Sequence, residues 1–128
     1  MKLGYTILYV PDVAAALSFY EGAFGLTRRF LDEAGQYGEL DTGNTVLAFA
    51  SEALAARNEL RVRPNRPGDE PGGFELAFVT TDVEAALQRA LNAGARPVKP
   101  PTKQPWGQVV AYLRDLHGVL IELCTPMG

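Results

Sequence analysis

Twice in this chain an aspartate follows an apolar, strand-like run and opens a helix. Val10-Pro11-Asp12-Val13-Ala14-Ala15-Ala16-Leu17 returns seventy residues further on as Thr80-Thr81-Asp82-Val83-Glu84-Ala85-Ala86-Leu87. The runs before these segments are Tyr5 to Val10 and Glu75 to Val79, and the helical stretches after them lead to Gly25 and Gly94. A unit repeated at this length is one supersecondary module, and paired modules bury faces that a single copy leaves open. The repeat therefore predicts an α+β fold of two βαβββ modules, with curved sheets around a cleft and helices outside. Such a cleft is the place to look for function.

The rest of the chain can be read against that frame of strands and helices. Tyr5 to Val10 is rich in β-branched and aromatic residues and stops at Pro11, and Asp12 is a natural N-cap. Val13, Ala16, Leu17, Tyr20 and Phe24 then recur at helical spacing up to Gly25. Strands are expected over 27–31, 37–41 and 45–50, with turns at Ala34-Gly35 and Thr42-Gly43-Asn44. Ser51 to Arg57 has the composition of a short capped helix. The second module repeats the order: a strand from Glu75, a helix capped by Asp82, a short strand near Arg96 to Val98, a loop from Pro100 to Gly107, and strands 108–114 and 119–124. Module 1 is thus expected at about residues 1–51, a linker at about 52–73 and module 2 at about 74–128, all within one domain.

Composition narrows the partners. The net charge is −3, and no basic stripe interleaved with aromatics runs along the chain, which excludes nucleic acid as a partner. Arg57, Arg61, Arg63 and Arg66 crowd the Pro/Gly-rich linker, where solvated charge is the preferred reading over an anion-binding lid. The single cysteine, Cys124, lies in the last apolar run and reads as a small buried hydrophobe. No uninterrupted apolar segment follows Met1-Lys2, and none reaches membrane length, so a cytoplasmic protein without a membrane partner is expected.

The stretches ILYVPDVAAALSFYEGAFGL, DVEAAL with its closing NAGA, and PWGQVVAYLRDLHGVLIEL together resemble the vicinal oxygen chelate superfamily, which contains glyoxalase I, extradiol dioxygenases and bleomycin-resistance proteins. The resemblance implies the paired βαβββ architecture and a homodimer. In the metal enzymes of that group, ligands stand on the first and last strands of each module. Those places fall here on Tyr5 and Glu75, and on Ala48 and Glu122. A neutral phenol is a poor ligand and alanine offers no donor atom, so no metal ligand set and no cofactor are expected. His117 belongs to the Asp115-Leu116-His117-Gly118 turn rather than to a ligand set.

Strand alternation then describes the cleft. If Tyr5 and Glu75 face it, Ile7, Tyr9, Ala77 and Val79 do too, while Leu8, Val10, Leu76 and Phe78 pack beneath the helices. With Ala48 and Glu122 come Val46, Ala50, Leu120 and Cys124; Val110 and Tyr112 join from the neighbouring strand, and Trp106 stands at the entrance. This wall suits an apolar or aromatic small-molecule ligand held by Tyr5, Ile7, Tyr9, Ala48, Trp106, Val110 and Tyr112. Glu75 and Glu122 are the candidate catalytic pair, because two carboxyl groups brought together in an apolar site cannot both ionise easily. Three functions follow as alternatives: a metal-free binding protein, a glyoxalase-like lyase with a divalent metal, and a metal-free acid/base isomerase or lyase. An ion pair with Arg114 would make the glutamates purely structural.

Overall fold

Asp12 and Asp82 cap their helices in the same way, each Oδ1 accepting from the backbone N–H three residues on, at 3.0 Å in both cases. The computed structural model describes residues 1–127. Its elements are β1 (Tyr5–Val10), α1 (Val13–Phe24), β2 (Thr27–Leu31), β3 (Tyr37–Asp41), β4 (Val46–Ser51), α2 (Glu52–Arg57), β5 (Leu76–Val79), α3 (Val83–Asn92), β6 (Arg96–Lys103), β7 (Val109–Arg114) and β8 (Leu120–Cys124). Two compact units result, Met1–Pro64 and Asn65–Gly128.

Each unit holds one four-stranded sheet, ordered β1-β4-β3-β2 in the first and β5-β8-β7-β6 in the second. In both, the first strand runs parallel to the last and the other pairings are antiparallel. In the first unit, α1 lays Val13, Ala16, Leu17, Phe19, Tyr20 and Ala23 against β2, β3 and β4. The rings of Tyr20 and Phe49 meet at 5.0 Å. Gly38 on β3 makes this close approach possible, since a Cβ there would lie 2.6 Å from Leu17 Cδ1. Leu8 and Val10 are buried on the helix-facing side of β1, in the alternation read from the sequence. In the second unit, α3 packs on β6, β7 and β8, burying Val83 and Ala90.

Two expectations change. The strand expected to end near Val98 extends to Lys103, with the ladder shifting register between Pro97 and Lys99 and again between Lys99 and Thr102. It is an edge strand, so Pro97, Pro100 and Pro101 can be tolerated where a central strand would lose ladder bonds. The Pro/Gly-rich linker, in turn, is anchored rather than wholly solvated. Arg114 donates to the carbonyl oxygens of Arg66, Pro67 and Gly118. Gly118, at φ 91°, leaves room for that contact, as a Cβ would stand 2.5 Å from the Arg66 carbonyl oxygen. Among the described residues, no helix is long and apolar enough to cross a membrane.

Candidate functional site

In the second unit the ladder places Ala77 beside Glu122 and Glu122 beside Tyr112, with Val79, Cys124 and Val110 forming the next row on the same face. Glu75 lies just before β5 and is exposed. Glu122 becomes the centre of this surface because three groups converge on it. The Tyr112 hydroxyl donates to its Oε1 at 3.2 Å, the Cys124 thiol hydrogen-bonds to it, and Glu75 shares a hydrogen bond with it.

The electrostatics follow from that convergence. The hydrogen bond to Glu122 raises the Glu75 carboxyl above its ordinary value, helped by partial desolvation of the otherwise exposed side chain and then by the Glu122 charge. Burial is the largest cause of the upward displacement of both the Tyr112 phenol and the Cys124 thiol, and Glu122 adds to each. A carboxyl that holds its proton further up the pH scale beside an acceptor carboxyl can donate a hydrogen bond or a proton to a bound molecule. Arg114 does not neutralise the pair, since its guanidinium is committed to backbone carbonyls.

The remaining sequence candidates divide between the two units. Trp106 is 62% exposed, and its indole N–H donates to Gln108 Oε1 at 2.7 Å. Beside Tyr112 and Val110 lies a depression of about 240 Å³, lined also by Lys99, Pro100, Thr102 and Gln104, but Trp106 does not line it. In the first unit, Tyr5 and Ile7 are exposed, Tyr9 is half-buried and Ala48 is fully buried. The ladder aligns Ile7 with Ala48 and Ala48 with Glu39.

That last neighbour belongs to a polar group that the sequence reading missed. Glu39 is buried, accepts from the Tyr37 hydroxyl at 2.7 Å, and lies 3.5 Å from Arg29 Nε. Burial and the Glu39 hydrogen bond push the Tyr37 phenol well above its usual range. The available signal was alternation: Tyr37 and Glu39 share a face of β3, two residues apart. A metal of the kind the family resemblance implies does not fit these residues. Ala48 has no donor atom, and among the described residues no group of three or more His, Cys, Asp or Glu side chains is arranged to hold a metal ion.

Comparison with known proteins agrees with this architecture. Over 124 residues the chain is 27% identical to the Bacillus subtilis protein YraH, covering 96% of this chain and 97% of that one. It is 30% identical over 102 residues to the anthracycline biosynthesis protein DnrV of Streptomyces peucetius, a match covering 71% of this chain and 34% of DnrV, about a third of that protein's length. A glyoxalase-related enzyme from Fulvimarina pelagi superposes with a TM-score of 0.84 at 22% identity, over 98% of this chain and 88% of that structure. Residues 2–123 match the family itself: the chain belongs to the Glyoxalase/Bleomycin resistance protein/Dioxygenase superfamily.

Proposed function

We propose that this protein binds a flat, largely apolar small molecule on the module 2 sheet face without a resident metal, using Glu75 and Glu122 as the polar anchor. The observation that carries this reading is the Glu75, Glu122 and Tyr112 cluster set beside Ala77, Val79, Val110 and Cys124. An apolar surface with a few convergent polar groups and a displaced carboxyl is the usual make-up of a small-molecule site. The name of DnrV supports the ligand class, since an anthracycline is a flat polycyclic aromatic. A homodimer belongs to the same proposal: β1 and β5 are edge strands of their sheets and carry exposed Tyr5, Ile7 and Val79. Light scattering should give a dimer mass, and a stable monomer would remove that part.

The test is a fluorescence titration against flat aromatic compounds, with calorimetry for variants. Replacing Tyr112 by alanine should weaken binding about tenfold, combining lost ring contact with lost buried area. Ligands that bind wild type, Tyr112→Ala and Glu122→Gln equally would move the site elsewhere. Elemental analysis near one metal per chain would overturn the metal-free reading.

The shared hydrogen bond of the carboxyl pair favours a second reading, an isomerase or lyase in which Glu75 supplies the proton and Glu122 accepts one. Glu122→Gln separates the two. For an enzyme it should abolish turnover while leaving much of the affinity; for a binding protein it changes affinity alone.

A further inference from the structure

The register of the module 2 sheet puts one continuous row of side chains across four strands. Lys99 on β6 pairs with Tyr112 on β7, Tyr112 with Glu122 on β8, and Glu122 with Ala77 on β5, with Glu75 two residues before Ala77. The neighbouring row reads Thr102, Val110, Cys124 and Val79. One row is therefore cation, phenol and acid, and the row beside it is mostly apolar. Lys99 and Tyr112 line the same depression of about 240 Å³, so both face one side of the sheet. Among the described residues, the Lys99 ammonium has no carboxylate at ion-pair distance.

We propose that Lys99 is the anion-binding end of the ligand site, and that the ligand is a flat aromatic carboxylate with a hydroxyl or carbonyl at its opposite edge. Strands in a sheet lie about 4.8 Å apart, so Lys99 and Glu122, two strands apart, are separated by roughly 10 Å at the backbone. A molecule lying over Tyr112 and the Val110 row can reach both ends at once. Its carboxylate meets Lys99, its far polar group meets the Glu75 and Glu122 carboxyls, and its rings cover the apolar row. Placing a carboxylate at the glutamate end would set like charges side by side, so the row also fixes the ligand's direction.

This inference rests on the proposed module 2 binding face, and the experiment separates the two. Three probes are titrated calorimetrically: 6-hydroxy-2-naphthoic acid, its methyl ester, and 3-hydroxy-2-naphthoic acid, whose polar groups are adjacent instead of opposed. Wild type should prefer the 6-hydroxy acid over both others. Lys99→Met should lose about threefold to fivefold in affinity for that acid, the range of an exposed ion pair, and nothing for the ester, while Lys99→Arg keeps the wild-type preference. The acid's advantage should fade near about 1 M salt, where the Debye length is about 3 Å. Lys99 is exposed, so these variants keep the fold. If acid and ester bind alike and Tyr112→Ala weakens both, the binding face stands and the role of Lys99 is overturned. If no probe binds, or Tyr112→Ala binds all three as wild type does, the face and this inference fall together.

Discussion

The two modules share strand order, parallel first-to-last pairing and the same aspartate cap, yet they distribute burial differently. All six residues of β4 are buried, whereas β8 leaves Leu120 and Glu122 partly open. α1 buries six side chains, and α3 buries Val83 and Ala90 only. At matching positions module 1 carries Tyr5, Glu39 and Ala48 where module 2 carries Glu75, Tyr112 and Glu122. Each copy pairs a tyrosine with a carboxylate, but module 1 encloses Glu39 between Tyr37 and Arg29 while module 2 leaves its acids reachable. Repetition of a module lets one copy become packed body and the other retain an open polar surface.

The sharpest way to break that contrast is to delete the same leucine from each copy. Leu17 is fully buried and Leu87, its counterpart in the repeat, is half-buried. Leu17→Ala should cost about 3 to 5 kcal/mol in urea unfolding and Leu87→Ala about 1 kcal/mol. Equal losses would mean that the modules carry equal shares of the core. The caps provide the control: Asp12→Ala and Asp82→Ala should each cost about 1 kcal/mol, because their bonds are the same length. A marked inequality between them would show that the helices, and not just their packing, have diverged.

The smallest effect concerns the acids. Because its partner Glu122 raises Glu75 from 4.5, the folded form holds that proton more tightly than the unfolded chain does. The resulting stability is fully present below about pH 4.5 and is lost as pH rises through the folded-state value. Glu75→Gln should remove this component from a plot of melting temperature against pH; an unchanged profile would show that the carboxyls are not coupled. At the alkaline end, Tyr112 and Cys124 are also raised, so their contribution is present below their unfolded values of 10.0 and 9.0 and declines as pH rises through the folded ones.

The frame of the fold was legible in the sequence because local signals repeat: Pro11 and the two aspartates mark where strand becomes helix, and alternation assigned Leu8 and Val10 to the buried side. The strand bounds expected at 45, 75, 108 and 119 each differ from the observed ones by one residue. β6 was read short because prolines end strands only where the ladder needs their N–H, and sequence alone does not reveal which strand lies at an edge. The same limit hid part of the site. Glu122 and Tyr112 could be aligned from the hairpin, but Lys99 meets Tyr112 between two register shifts, and Glu39 meets Ala48 only through a cross-strand pairing.

Parallel pairing of the first and last strands also sets an order of assembly. β1 pairs with β4, so the first sheet can close once Ser51 is available, while β5 waits for β8 and Cys124. Emerging from the ribosome, module 1 can therefore complete its sheet while β5 is still an unpaired edge. Glu75 meets Glu122 only at the final pairing, and a nascent chain stalled before Leu120 has one acid and no partner for it. The chemistry of the surface arrives with the last strand of the sheet, after the packed body that precedes it can already stand.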